Sequence, residues 1–121
     1  MNWAFKEGIP IYTQIIDQFK GFILSGEFQP GQQIPPVREL AVDAGVNPNT
    51  MQRALAELER EGLLYSVRTT GRFVTDDAEI FAELRRTLGN THIENLFKNL
   101  NKLGMTDDEI IAAVQQWTKG E

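Results

Sequence analysis

Several residue types that carry chemistry are scarce or missing in this sequence of 121 residues. It contains no cysteine, which excludes disulfides, thiolate catalysis and cysteine-based zinc sites. It has one histidine, His92, in a mixed polar and apolar helical context that favours a surface or packing role over metal binding or catalysis. Neither a Ser-His-Asp pattern, a phosphate-cradling glycine-rich loop nor a metal-spaced cluster is present. We therefore expect no enzyme activity, no metal and no cofactor.

Long apolar runs are also missing. No stretch approaches the ~20 apolar residues that a membrane span requires. The segment Met1 to Phe5 has no basic residues followed by an apolar run, so it does not resemble a signal peptide. We expect a soluble cytoplasmic protein that does not contact a membrane. The apolar share of 41%, with seven Phe and two Trp, is enough to build a compact core.

An excess of basic residues, typical of nucleic-acid-binding modules, is absent as well. The net charge is −5. Residues 1–75 carry seven Lys or Arg against eight Asp or Glu, whereas residues 76–121 carry five against nine. The acidity therefore lies mainly in the C-terminal part. Because salt screens surface charges beyond roughly 8 Å, a local basic patch matters more than the total charge.

Hydrophobic spacing predicts three helices in the first half of the chain. Apolar residues three and four apart predict an amphipathic helix from Ile9 to Leu24. A second helix is expected to start at Pro36 and to stop near Gly45. A third follows from Pro48 to Glu61, with Asn47 as its N-cap. Two short helices joined by a tight turn are typical of a helix-turn-helix.

A β-hairpin is predicted after the third helix. Leu63–Val67 forms one strand, Arg68–Gly71 the tip and Arg72–Val74 the returning strand. A helix-turn-helix followed by such a hairpin is a winged helix. We therefore predict a mainly α fold with a small β-hairpin wing, in which residues 1–75 form a winged helix-turn-helix DNA-binding domain.

Residues 76–121 are predicted to form a helical dimerisation tail. Two apolar stripes on the first tail helix point roughly 140° apart at ~100° per residue. The run 89–91, Gly-Asn-Thr, lies between them, so we expect a kink or break there. Gly104 ends this helix, and residues 106–109 form a capping-box pattern that starts a last helix. The first stripe, assigned to packing beside the DNA-binding domain, comprises Ile80, Phe81, Leu84 and Leu88.

The second stripe and the buried face of the last helix are assigned to a homodimer interface. Their side chains form more apolar surface than a small protein leaves in water. They are Ile93, Leu96, Phe97, Leu100 and Leu103 of the stripe and Ile110, Ile111, Val114 and Trp117 of the last helix.

The third helix carries the side chains best suited to reading DNA. Asn49, Gln52 and Arg53 lie on its exposed N-terminal half. Asn and Gln can pair with adenine through two hydrogen bonds, and Arg can do the same with guanine. Its acidic residues lie at the other end, clear of DNA if the helix enters the groove by its N-terminus. The alternative is a core-packing helix with a solvated polar face.

Two flanking elements, the hairpin and the second helix, offer further cations. Arg68 and Arg72 flank the Thr-Thr-Gly tip of the hairpin, where they suit phosphates or the narrow minor groove. The alternative is an ordinary solvated turn. Arg38 opens the second helix near the expected DNA backbone, and its alternative role is a surface ion pair with Glu39 or Asp43.

The run PGQQIPPVRELAVDAGVNPNTMQRALAELEREGLL, together with the upstream IPIYTQI and the downstream TGRFV, resembles the GntR family of bacterial winged-helix regulators. The short helical tail resembles that of the YtrA-type subfamily, which uses it to dimerise. The resemblance implies a homodimer bound to double-stranded operator DNA. The DNA-contacting positions that it implies are Arg38, Asn47, Asn49, Thr50, Gln52, Arg53, Arg68, Thr70, Gly71 and Arg72.

Three positions depart from the family pattern. Pro36 replaces a frequent Ser, Pro48 a frequent Arg and Thr69 a frequent Gly. Two other functions stay open. A winged helix can serve as a protein–protein interaction module, because a fold alone does not determine function. The tail of about 46 residues is too short for a sensory domain, yet a small effector, which the sequence does not identify, could bind at a dimer interface.

Overall fold

The computed structural model describes residues 1–120, so Glu121 at the end of the predicted tail lies outside it. The chain forms two compact units, Met1–Ala82 and the residues from Glu83 onward. In chain order the elements are α1 (Ile11–Ser25), α2 (Val37–Ala44), α3 (Pro48–Arg60), β1 (Leu64–Val67), β2 (Gly71–Val74), α4 (Ala78–Asn101) and α5 (Asp107–Thr118).

Helix α1 follows the predicted amphipathic pattern. Its buried side chains Ile15, Phe19 and Ile23 are spaced four apart and therefore share one face. The helix ends at Gly26, whose φ of 85° places it in the left-handed region. Glycine adopts this conformation without steric cost, so Gly26 ends the helix close to the predicted boundary at Leu24.

The helix-turn-helix is formed by α2 and α3. The predicted start of α2 was one residue early, because Pro36 has an extended backbone and its carbonyl accepts the first helical hydrogen bond, from Leu40 N–H at 3.0 Å. Gly45 ends α2 with a φ of 72°. The predicted cap of α3 is confirmed, since Asn47 Oδ1 accepts from Asn49 N–H at 2.7 Å.

The wing is the antiparallel hairpin β1–β2. Leu64 pairs with Val74 and Val67 with Gly71, and Thr70 N–H donates to Val67 O at 3.0 Å across the tip. The segment 31–34 pairs with β2 from its other side, a contact that the sequence pattern did not indicate. There Ile34 N–H donates to the carbonyl of residue 72, and Gln33 forms an isolated bridge with Phe73.

The core of the first unit lies between the three helices and the base of the wing. Burial of a large apolar side chain stabilises a fold by about 1.5–3 kcal/mol, so this cluster is the main source of stability. Its fully buried large members are Ile15, Phe19, Ile23, Leu40, Met51, Leu55, Leu58, Leu64 and Val74.

Helix α4 runs without interruption through Gly89. Of the predicted kink or break at this position, the break was therefore wrong, and the kink stays a prediction. A glycine inside a helix costs only about 1 kcal/mol relative to alanine, which neighbouring helical hydrogen bonds can offset. The hydroxyl of Thr91 donates to Thr87 O at 3.2 Å, so this side chain also bonds within the helix. On the first apolar stripe Leu84 is buried, and Ile80, Phe81 and Leu88 are half-buried.

Helix α5 begins with the predicted capping box. Thr106 Oγ accepts from Glu109 N–H, and the Glu109 carboxylate accepts from Thr106 N–H. We expected α5 to bury Ile110, Ile111, Val114 and Trp117. In the single chain only Ile110 of these four is buried. Ile111, Val114 and Trp117 are 47%, 39% and 79% exposed, because a pair of helices covers only one face of each partner. No helix within residues 1–120 is both long enough and apolar enough to span a membrane.

Candidate nucleic-acid interface

The exposed face of α3 carries the polar residues that the sequence predicted. Asn49, Gln52 and Arg53 are exposed, whereas Thr50 is half-buried. Their positions follow from helical periodicity, since the apolar residues of α3 take the opposite face. Asn47 has a structural role in addition to its predicted one, because its side-chain oxygen caps the helix.

Arg53 contacts another element of the same unit. Its guanidinium lies 4.6 Å from the centre of the Tyr12 ring of α1, a cation–π arrangement. Such contacts at exposed sites contribute about 0.5–1 kcal/mol. Tyr12 therefore holds the Arg53 cation at the boundary between α1 and α3, a partner that sequence reasoning missed because α1 and α3 are distant in sequence.

Arg38 lies free on the surface of α2. It is exposed, and none of the ion pairs among residues 1–120 includes it. One alternative partner, Asp43, instead accepts a hydrogen bond from Trp3 Nε1 at 3.0 Å. The predicted cation beside the start of the helix-turn-helix is therefore available for an external anion.

The wing tip exposes Arg68 and Thr70, as predicted. Thr69 has a φ of 68°, where the family often has glycine. Gly71 has a φ of 134°, and a Cβ atom at this position would lie 2.8 Å from Gln33 Nε2. That same nitrogen donates to Thr70 O at 2.7 Å. Gln33 therefore fixes the tip from the neighbouring segment, and Gly71 is needed for this close approach.

Arg72 connects the wing to α3. Its Nη1 donates to Gln52 Oε1 at 3.1 Å, and its Nε donates to Glu59 Oε1 at 3.4 Å. The hydroxyl of Ser66 donates to the same Glu59 oxygen. Ser66 and Arg72 are paired across the hairpin, so both strands attach to one carboxylate. We call the contacts of Arg72 with Gln52 and Glu59 the Arg72 bridge.

Sequence reasoning missed the roles of Gln33, Glu59 and Ser66. For Glu59 a signal was present, because it lies seven residues after Gln52 and therefore on nearly the same helical face. The pairing of Ser66 with Arg72 follows from the register of the hairpin. The sequence pattern left that register open, so the pairing could not be predicted.

The C-terminal end of α3 is acidic and internally paired. A hydrogen bond from Arg60 lowers the pKa of Glu57. Glu61 is paired with Lys20 of α1 at 3.1 Å. The carboxylates at this end have cationic partners within the protein, whereas the N-terminal half of α3 presents amides, a cation and the positive end of the helix dipole.

These features form a surface with polar donors at its centre and cations at its edges. The N-terminal half of α3 is at the centre, Arg38 lies on α2, and Arg68 lies at the wing tip. Such an arrangement allows base contacts from a helix and phosphate contacts from the flanking elements. The class of protein that this fold and surface define is a winged-helix nucleic-acid-binding protein.

Comparison with known proteins agrees with this class. Residues 11–74 match the model of "Bacterial regulatory proteins, gntR family". The chain is 38% identical over 120 residues to the HTH-type transcriptional regulator YhcF of Bacillus subtilis, covering 99% of both chains. It is 33% identical over 115 residues to the HTH-type transcriptional repressor YtrA of Bacillus subtilis, covering 94% of this chain and 85% of the relative.

Solved structures give the same result. A GntR family transcriptional regulator from Listeria monocytogenes superposes with a TM-score of 0.84 at 38% identity, covering 93% of this chain and 98% of the other. The DNA-binding domain of AraR in complex with operator ORX1 superposes with a TM-score of 0.56 at 32% identity, covering 62% of this chain and 96% of that domain. The chain belongs to the GntR family of bacterial regulatory proteins and, within it, to the YtrA type.

Proposed function

We propose that the chain is a transcriptional repressor that binds double-stranded operator DNA in a sequence-specific manner. Helix α3 enters the major groove by its N-terminal half, and the wing lies against the adjacent backbone or minor groove. The observation that carries this proposal is the Arg72 bridge, because it joins the recognition helix and the wing into one surface. The operator complex of the related AraR domain and the name of the repressor YtrA support it.

Within this surface we assign base reading to Gln52 and backbone binding to Arg38. Gln52 is exposed two turns before the acidic end of α3. Arg38 is exposed on the flanking helix, without an ion-pair partner among residues 1–120. We assign further contacts in the same interface to Asn47, Asn49, Thr50, Arg53, Arg68, Thr70 and Gly71.

We further propose that the protein binds as a two-fold homodimer held by its helical tail. In the second unit Ile93, Leu96 and Leu103 are 55%, 39% and 75% exposed, and three apolar residues of α5 are exposed as well. Contiguous exposed apolar surface marks interaction sites in soluble proteins, and we infer that these residues form such a surface. A two-fold dimer favours a pseudo-palindromic operator with half-sites about 34–36 Å apart, or a multiple of that distance.

Two substitutions test the assignment of roles. Gln52→Ala should relax the preference at one or two base pairs and cost ~1–3 kcal/mol on the selected site. Arg38→Ala should weaken all sequences alike and should lower the slope of log affinity against log salt by about one. Selection from random duplexes followed by titration at several salt concentrations measures both effects.

An equal loss on selected and random DNA for Gln52→Ala would contradict the base-reading role. A wild-type protein that selects no sequence, and binds heparin without salt dependence, would favour a protein–protein module instead.

A further inference from the structure

The side-chain amide of Gln52 is held in one orientation by a neighbour that can only donate. A guanidinium has five N–H donors and no acceptor, so the atom that faces Arg72 must be the amide oxygen. The 3.1 Å contact between Arg72 Nη1 and Gln52 Oε1 therefore fixes the orientation of the amide, with its oxygen towards Arg72 and its nitrogen away from it. Gln52 Nε2, with two N–H donors, makes no hydrogen bond within residues 1–120 and lies on an exposed residue.

Arg72, which bonds the Gln52 amide, is itself fixed by contacts within the protein. Arg72 Nε donates to Glu59 Oε1, and the Arg72 side chain is only 17% exposed. Ser66 donates to the same carboxylate oxygen from the opposite strand of the hairpin. Arg72 thus has an intramolecular carboxylate partner, whereas Arg68 at the tip is exposed and forms no ion pair within residues 1–120.

The fixed orientation limits which base edge Gln52 can read. In the major groove adenine presents an acceptor at N7 and a donor at N6, whereas guanine presents acceptors at N7 and O6. The familiar pairing of glutamine with adenine uses the amide oxygen as an acceptor and the amide nitrogen as a donor. With the oxygen turned towards Arg72, the end offered to DNA is the amide nitrogen with its two N–H donors. Guanine presents two acceptors to this end, N7 and O6, whereas adenine presents only N7 and thymine only O4, so guanine is the best match.

We propose that Gln52 reads guanine rather than adenine, and that Arg72 is the positioning residue that sets this preference. The sequence predicted a phosphate contact for Arg72, but its contacts with Glu59 and Gln52 fit a positioning role better. This inference rests on the proposed DNA-binding function and specifies the base that the same site selects.

The test uses the full-length protein and a library of random duplex DNA. The base pair read by residue 52 is first identified as the position at which Gln52→Ala loses its preference. Wild-type affinity is then measured for all four bases at that position. Guanine should exceed adenine by about 5- to 100-fold, the range for a base-specific hydrogen-bonded contact.

Arg72→Met removes the donors while keeping an unbranched side chain of similar reach. It should release the amide, so that the ratio of guanine to adenine affinity falls several-fold towards one. Arg68→Met is the matched control, because Arg68 lies on the same hairpin without a protein partner. It should lower affinity for all four sequences equally and leave the ratio unchanged.

Glu59→Gln is a second variant that leaves Arg72 in place but removes its ionic partner. It should lower the same ratio to a smaller extent, and circular dichroism of each variant verifies the fold. Wild-type preference for any base other than guanine, or an unchanged ratio in folded Arg72→Met, would overturn the inference while leaving the DNA-binding function intact. A wild-type protein without any sequence preference would overturn the proposed function.

Discussion

At the residue scale, some side chains of the proposed interface also have a structural role within the fold. Asn47 caps α3, and Arg53 stacks on Tyr12 of α1. Substituting either residue therefore changes stability as well as any DNA contact. Arg38 and Arg68 differ from them because neither has an ion-pair partner among residues 1–120, so their substitution reports on an external anion more directly.

Thr69 is the clearest case of local backbone cost. Among residues 1–120 it is the one non-glycine residue with a positive φ, 68°. The left-handed conformation costs a residue with a Cβ atom roughly 1–2 kcal/mol, and β-branching makes it less favourable still. The family pattern often has glycine at this position. The tip of this chain keeps the left-handed backbone although threonine adopts it less easily than glycine.

We predict that Thr69→Asn stabilises the protein, because asparagine tolerates the left-handed region better than a β-branched residue. The free energy of unfolding, measured by urea denaturation, should rise by about 0.5–1 kcal/mol. Thr70→Asn is the control, since Thr70 is equally exposed but has a negative φ. A loss of stability in Thr69→Asn, with Thr70→Asn unchanged, would show that the tip does not have this backbone conformation.

At the scale of elements, helix starts and ends follow local chemistry closely. Gly26 and Gly45 end α1 and α2 in the left-handed region, and Asn47 and Thr106 cap α3 and α5. Helix α4 did not follow this pattern, because Gly89 indicated a break that the structure does not contain. A glycine stops a helix only if its backbone turns left-handed, and Gly89 has a helical backbone instead.

We predict that Gly89→Ala raises the thermal stability of the protein. A Cβ at this position would meet no atom within 4 Å, and alanine in a helix interior is favoured over glycine by about 0.5–1 kcal/mol. This gain should raise Tm by a few degrees, measured by circular dichroism. Gly104→Ala should have the opposite effect, because Gly104 has a φ of 84°. If Gly89→Ala lowered Tm, the helix would not be continuous at this position.

At the scale of the whole molecule, the unpartnered apolar surface of the tail is the main feature that one chain leaves unexplained. Trp117 is 79% exposed and Leu103 is 75% exposed, although burial of such side chains stabilises proteins by about 1.5–3 kcal/mol each. The winged-helix unit has its own buried core, so it does not require this surface for folding. A second copy of the chain is the proposed partner.

We predict that Leu96→Glu converts the dimer to a monomer, because it places a charge on the apolar stripe of α4. Light scattering coupled to size exclusion measures the mass. Asn95→Glu adds the same charge beside the stripe on an exposed polar position and should leave the dimer intact. Affinity of Leu96→Glu for the selected two-half-site DNA should fall far more than its affinity for a single half-site.

Two results would contradict this model. A folded Leu96→Glu variant that remains dimeric would place the interface elsewhere. A wild-type protein that is monomeric and binds one half-site with full affinity would contradict the proposed dimer altogether.

The sequence by itself determined the winged helix, because each of its signals is local. The apolar period of α1, the Asn-Pro start of α3 and the turn residues of the hairpin all act within a few positions. It also indicated the exposed polar face of α3, which we propose contacts DNA, since helical periodicity places polar residues opposite the buried ones.

The tertiary structure alone decided which side chains meet across elements. Arg72 reaches Gln52 and Glu59 from a hairpin whose register the sequence pattern left open, and Arg53 meets the ring of Tyr12 on α1. The continuity of α4 was likewise decided by the backbone conformation of Gly89, which the residue type permits but does not impose. Hydrogen bonds between distant elements depend on distances of a few tenths of an ångström, and those distances are set only when the core is packed.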